Sequence, residues 1–313
     1  MRSSHRKIAM QLETLKVFCD VVDSRSFSKA ARLNRVTQSA VSQQIRSLEK
    51  RYDRKLLDRA PRAIQPTPAG EKLYEGAREV LARFEELEAR MRAESDEAEG
   101  PVTLATIHSV GLHEIQAHLK ELLRRYPKVN VRVAYRRSDE VYDAVAAGDA
   151  DVGLVAYPRE KRELATLAFS EDRLVVAVPP DHLLARKSEI SLRRLDGINF
   201  VAFDRDIPTR RAVDKLLRDH DAAAEVRMEF DNIETVKRAV EIGMGISILP
   251  RASIQTEVAA GTLVAVPISD GDFTRPIGLL VRRGRSLSRA AEALIEVFGG
   301  DRAGEVLGAR AEG

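Results

Sequence analysis

From Thr67 to Met91 a single apolar seam runs through TPAGEKLYEGAREVLARFEELEARM. Leu73, Ala77, Val80, Phe84, Leu87 and Met91 are spaced four, three, four, three and four residues apart, the a/d repeat of a helix that packs against another helix. Glu79, Arg83, Glu86 and Arg90 flank the seam, Thr67 can cap the helix, and Pro68 suits its first position. A single helix lying on the body of its own chain is the alternative. A seam this narrow and strict favours pairing with a second copy, with these six residues as dimerisation positions. A helix of this length also divides the chain into a head before it and a body after it.

The two sides differ in charge. Met1 to Pro66 hold 15 Lys/Arg against 6 Asp/Glu, a net +9, and the remainder holds 36 against 42, a net −6. A basic head on an acidic body suits a chain whose head meets phosphate, although a charge run by itself is also simply a solvated face. At 313 residues with 44% hydrophobic and 32% charged, the chain is long enough for more than one buried core. No apolar run approaches the roughly 20 residues of a membrane span, and the N-terminus lacks the apolar stretch of a signal peptide. The expectation is therefore a cytoplasmic protein without membrane contact, with Met10 an alternative start to Met1. The single cysteine, Cys19, excludes an internal disulfide framework and a Cys-rich zinc site. Its apolar helical setting points to a buried thiol rather than a redox sensor.

Within the head, Leu12, Leu15, Phe18, Cys19 and Val22 recur with helical spacing to about Asp23. SFSKAARL reads as a short helix capped by Ser26, and Asn34 to Val36 as a turn without the usual glycine. In VTQSAVSQQIRSLEKR, Val36 to Arg51, the residues Val41, Ile45 and Leu48 form one apolar face. Gln38, Ser39, Ser42, Gln43 and Arg46 occupy the other, behind a Thr37 cap. Helix, three-residue turn and capped polar helix make a helix-turn-helix, whose second helix carries side chains able to read base edges in a major groove. Taken alone, the same helix is a surface helix with a polar face. LLDRAPRAIQPTPAG then reads as a two-stranded wing bearing Arg59 and Arg62, or as a proline-stiffened connector.

SFSKAARL, TQSAVSQQIRSLE, LLDR and TPAG, in this order across Leu12 to Gly70, resemble the DNA-binding domain of the LysR-type transcriptional regulators. Asp53 departs from the family pattern where a helix-ending glycine is common, and Leu57 where phenylalanine is common. The resemblance implies that Gln38, Ser39, Ser42 and Gln43 approach bases of double-stranded DNA, while Ser28, Arg46, Arg59, Arg62 and Thr67 hold its backbone. It also implies a homo-oligomer paired through the long helix, dimer or tetramer, on a roughly palindromic site, with RNA polymerase as a further partner.

Beyond Pro101 strands and helices alternate: VTLATI, a helix over Leu112 to Tyr126, VNVRVAY, a helix over Asp139 to Ala147, and DVGLVAY. RLVVAVPP, NFVAF, VRMEF, ISILP and PIGLLV extend the strands. Helices follow at about Pro208 to Asp219, Ile233 to Gly243 and Ser288 to Phe298. Alternation implies a parallel sheet covered on both faces. The late strand and helix would return to the first lobe, and GDADVGLV and VEIGMGISILP resemble the LysR-type effector domain. The expected fold is thus α/β: a winged helix-turn-helix at 1–66, a linker helix at 67–99, and a bilobal Rossmann-like body at 100–299 that resembles type II periplasmic binding proteins. Lobe I would take about 100–168 and 269–299, lobe II about 169–268, and 300–313 would be a disordered tail.

The body carries no nucleotide-binding glycine loop after a strand, no HExxH and no GxSxG, and its histidines are scattered. Neither catalytic residues, a cofactor nor a metal is expected. Gly243 and Gly245 follow a helix and precede a strand, which makes them a turn rather than a phosphate loop. In an open α/β sheet ligands sit beyond the carboxyl ends of strands, beside helix N-termini. The resemblance maps an effector cleft onto Thr106, Ser109, Ser138, Phe203, Thr209 and Ile233, with Thr106 and Ser109 equally readable as helix caps. Arg136, Arg137 and Arg210 lie near these turns; an arginine beside the ligand would favour a small anionic metabolite by bidentate pairing, and ordinary solvated arginines are the equal alternative. A bilobal binding protein or a small-molecule enzyme fused to a DNA-binding head is the alternative. The first leaves the head unexplained, and the second lacks a nucleophile with a base.

Overall fold

The computed structural model describes residues 12–60, 63–92, 97–284 and 286–307, and the chain divides into two compact units, Met1–Arg92 and Ala93–Gly313. In the first unit α1 (Leu12–Ser24), α2 (Phe27–Leu33) and α3 (Gln38–Tyr52) close around Phe18, Val21, Ala30, Val41 and Ile45. Ser26 caps α2 by accepting from the Lys29 N–H, and Thr37 caps α3 by accepting from the Ala40 N–H, each at 3.2 Å. The turn between α2 and α3 manages without glycine because Arg35 takes the left-handed conformation at φ 55°. Asn34 braces it by donating to Asp20 at 2.6 Å and to the Ala30 carbonyl at 2.9 Å. Cys19 lies in this core, where burial pushes its thiol up to about 12, far from the thiolate that redox sensing needs.

Asp53 ends α3 in the left-handed region, at φ 49° and ψ 41°, the conformation for which glycine is preferred. Its carboxylate also stands at the negative end of the helix dipole. Asp53→Gly is therefore expected to stabilise the head by about 0.5–1 kcal/mol, read as a higher urea midpoint. The wing is β1 (Leu57–Ala60) paired antiparallel with β2 (Ala63–Pro66), Leu57 opposite Pro66 and Arg59 opposite Ile64. Leu57, smaller than the usual phenylalanine, is fully packed in the head core.

Next comes α4 (Pro68–Arg92). The Thr67 hydroxyl accepts from the Gly70 N–H at 3.0 Å and donates to the Lys55 carbonyl at 2.7 Å, tying the start of α4 to the wing.

In the second unit β3 (Gly100–Thr106) is the centre of lobe I, pairing parallel with both β4 (Val129–Tyr135) and β5 (Val152–Ala156). The expected helix over Leu112 to Tyr126 is two: α5 (His108–His113) leaves β3 at once, and α6 (Gln116–Arg125) follows a break at Glu114 and Ile115. The apolar spacing revealed α6 but not the break. α7 (Ser138–Ala147) covers the opposite sheet face with Val141, Tyr142 and Val145.

The sheet is mixed rather than parallel. β6 (Leu164–Val178) runs through both lobes. Its first part pairs antiparallel with the late strand, and its second part with strands of lobe II.

Lobe II comprises β7 (Asn199–Phe203), α8 (Pro208–Asp219), β8 (Glu225–Phe230), α9 (Ile233–Glu241), β9 (Ser247–Pro250), α10 (Gln255–Ala260) and β10 (Val264–Val266). The chain then returns through β11 (Thr274–Arg282), antiparallel to β5 and β6, and ends in α11 (Arg289–Gly299) and α12 (Ala303–Leu307). Disorder from residue 300 is thus corrected for 300–307. Ala303 is buried in the lobe I core with Val306 and Leu307 packed against it, so apolar contact orders a stretch that composition reads as tail. Residues 308–313 lie outside those described. Gly243, at φ 76°, is the turn between α9 and β9, and a Cβ at Gly245 would meet the Asn199 carbonyl oxygen at 2.5 Å. No helix among the described residues is long and apolar enough to cross a membrane.

Candidate functional sites

On α3 the two faces separate as the spacing predicts. Val41, Ile45 and Leu48 are buried, Gln38, Ser39, Gln43 and Arg46 are exposed, and Ser42 is half-buried. Ser28 donates to Gln38 Oε1 at 3.1 Å, which ties α2 to α3 and leaves the Gln38 amide nitrogen as the outward donor. The Thr37 and Ser39 hydroxyls are 2.9 Å apart. Arg46 Nε donates to the Ser42 carbonyl at 3.2 Å, while its terminal nitrogens and the Gln43 amide make no hydrogen bond among the described residues. Thr67 differs from the expectation, because both roles of its hydroxyl are taken by the cap and the wing. Arg62 and the Arg59 side chain lie outside what is described.

The α4 seam splits in two. Ala77 is buried and Leu73 half-buried, both packed into the head's own core against α1. Val80, Phe84 and Leu87 are 48%, 39% and 52% exposed, so only this distal part has an apolar edge to offer a partner. The Met91 side chain lies outside what is described.

Between the lobes is a cavity of about 350 Å³. Four helices begin at its wall: α5 with Ser109, α7 with Ser138, α8 with Thr209 and α9 with Ile233. The first turns of α5, α7 and α8 have no side-chain cap, and their N–H groups give the cavity a positive bias. Asn232 caps α9 by accepting from the Glu234 and Thr235 N–H groups at 3.0 and 3.1 Å. Phe203 supplies an apolar patch, and His108 stacks on Tyr135 with ring centres 5.1 Å apart.

Ser109, Ser138, Phe203, Thr209 and Ile233 all line this cavity, as do Arg136 and Arg137. Thr106 does not: it is fully buried beneath, its hydroxyl 3.3 Å from the Ile107 carbonyl. Nor do Thr106 and Ser109 cap α5, whose first turn has no side-chain cap.

Arg210 is turned into lobe II, where it donates to the Phe203 carbonyl at 2.5 Å and to Glu229 and Asp214 at 2.7 Å each, holding the Glu229 carboxyl below its usual range. One residue on a helix turns the side chain by about 100°, and it is Arg211 that lines the cavity. Arg159, overlooked from sequence, lines it too, held over the Tyr142 ring at 5.5 Å. Its signal was present, since it comes after the carboxyl end of the strand in DVGLVAY. Across the mouth Arg137 of lobe I pairs with Asp206 of lobe II and lies 4.0 Å from Asp204.

Residues 95–301 match the model of the LysR substrate binding domain, and residues 12–71 that of the bacterial regulatory helix-turn-helix protein, lysR family. The chain is 30% identical to the HTH-type transcriptional regulator YeiE of Escherichia coli K12 over 285 residues, covering 91% of this chain and 96% of YeiE. Its fold is similar to that of full-length CbnR in complex with its target DNA, with TM-score 0.70, 19% identity, and coverage of 92% of this chain and 99% of CbnR. The body is similar to the Synechocystis PCC6803 CcmR regulatory domain in complex with 2-PG, with 27% identity, TM-score 0.58, and coverage of 65% of this chain and 99% of that domain.

Proposed function

The chain belongs to the LysR family, as a DNA-binding transcriptional regulator with an effector-binding domain, and we propose that it reads a roughly palindromic operator and answers to a small anionic metabolite. Gln38, Ser39, Ser42 and Gln43 approach bases, while Ser28, Arg46, Arg59 and Arg62 run along phosphates. Val80, Phe84, Leu87 and Met91 pair two copies, whose recognition helices then meet half-sites about one DNA turn, roughly 34 Å, apart. Dimers or tetramers on the operator would reach transcription through RNA polymerase, in the cytoplasm where the DNA is.

The effector reading rests above all on the inter-lobe cavity, lined by Arg136 and Arg137 at the start of α7, Arg211 near the start of α8, and Arg159 in the loop after β5. Arginine forks and helix N-termini both select oxyanions. An anion there competes with Asp206 for Arg137, so ligand binding is coupled to the ion pair across the cavity mouth. By favouring the closed over the open lobes, it shifts that equilibrium and changes what the linker passes to the heads.

Thermal-shift and calorimetric titration with inorganic phosphate, oxalate, citrate and 2-PG tests this. At least one oxyanion should stabilise the protein, and Arg211→Ala should weaken it about tenfold or more, as loss of a charge-assisted pair implies. No stabilisation by any of them, or binding indifferent to Arg211→Ala, would overturn the anionic reading.

A further inference from the structure

A buried ionic cluster behind the cavity is unused by the roles assigned so far. Its centre is Arg275 on β11, only 1% exposed. Arg275 Nη1 donates to Ser109 Oγ at 2.9 Å, and Nη2 donates to Glu114 at 2.8 Å and lies 3.7 Å from Asp172. Ser170 donates to the second Glu114 oxygen at 2.9 Å, and Asp172 accepts from the Ala252 N–H at 3.2 Å. Burial pushes the Glu114 and Asp172 carboxyls up while the guanidinium pulls both down. Ser109 lies in the first turn of α5 and Glu114 just past its end, and Asp172 and Arg275 lie on the two strands that cross between lobes. One guanidinium thus touches the cavity wall and both crossing strands.

With the cavity read as the effector site, we propose that Arg275 is a positioning residue that fixes Ser109 as a hydrogen-bond donor to the effector, so that the occupant must present an acceptor oxygen there. A serine hydroxyl has one hydrogen and two lone pairs. Arg275 occupies a lone pair, and no group among the described residues accepts the hydrogen. A buried hydroxyl hydrogen without an acceptor is costly, and a guanidinium on the oxygen makes the O–H a stronger donor. The unspent hydrogen belongs to a side chain on the cavity wall. A carboxylate, phosphate or sulfate oxygen satisfies it. An ammonium group could reach only the remaining lone pair, would leave the hydroxyl hydrogen without an acceptor, and would face the Arg275 charge across a single oxygen. Ser109 and Arg275 therefore select an oxyanion independently of the arginines at the mouth.

The test needs no effector. In the full-length protein, Ser109→Cys puts a thiol where Arg275 aims, and buried Cys19 supplies an unreactive background. Iodoacetamide alkylation followed against pH should give a midpoint below the roughly 8.5 of a free thiol. Adding Arg275→Gln should slow the reaction at pH 7 about tenfold, the thiolate lost for one unit of upward shift. Adding Glu114→Gln instead should speed it, because the guanidinium then shares its charge with one carboxylate fewer. Circular dichroism checks folding, and if Arg275→Gln does not fold, the Glu114→Gln arm decides. Rates unmoved by Arg275→Gln, or unmoved or slowed by Glu114→Gln, would overturn the role of Arg275 whatever the cavity binds. Failure of the oxyanion titrations overturns the effector reading instead, so the two failures are separable.

Discussion

Alanine in place of both Gln43 and Arg46 is expected to weaken binding to a selected operator by roughly a hundredfold while leaving the head folded. Both side chains stand on the exposed face of α3, and neither enters the core formed by Val41, Ile45 and Leu48. Alanine is the best helix former, so α3 itself does not suffer. Each lost bidentate base contact is worth about 1–3 kcal/mol, and about 1.4 kcal/mol is tenfold in affinity. The two singles separate the roles. Gln43→Ala should relax selectivity at the base it reads, leaving the salt dependence alone. Arg46→Ala should weaken all sequences alike and reduce the slope of log K against log salt by about one. Fluorescence anisotropy on operator and scrambled duplexes across a salt series reads both. Full affinity and selectivity in the double variant would remove α3 from the interface.

Gly70→Ala should cost the head about 3 kcal/mol. A Cβ there would stand 2.0 Å from the Leu56 carbonyl oxygen and 3.0 Å from its carbon, and backbone cannot rotate away as a side-chain tip can. That carbonyl also accepts from the Thr67 N–H at 3.0 Å. Relief would part the wing from α4 and expose Leu56, which is 2% exposed now. Overpacking costs about 1–3 kcal/mol, and contact with backbone belongs at the upper end. It outweighs the helix propensity gained by replacing glycine, about 1 kcal/mol. Gly76, six residues on in α4, has nothing within 4 Å of its Cβ position. Gly76→Ala should therefore stabilise by about 0.5–1 kcal/mol. Urea unfolding followed by circular dichroism compares them, and equal midpoints would deny the close approach at the wing.

The same contrast explains which parts were legible. TPAG reads correctly as a helix start capped by Thr67, but the same threonine also reads as a DNA contact because sequence does not reveal that the Lys55 carbonyl takes its hydroxyl hydrogen. In the seam, Leu73 and Ala77 have the right period and the wrong partner, since α1 covers them. The heptad pattern identifies an apolar edge and is silent on which surface covers each part of it. Arg210 and Arg211 are indistinguishable by composition, and only the seating of α8 on lobe II decides which one faces the cavity.

Sequence alone determined the head and its reading helix, the division at the linker, and the alternating body. Those features are written in local periods and caps, whose energetics act within one or two turns of chain. Tertiary structure alone decided how the side chains at the cavity are partnered. Ser109 and Arg275 are 166 residues apart and meet because β11 returns beside β6 after a whole lobe has intervened, and no local pattern encodes a hydrogen bond made by that return.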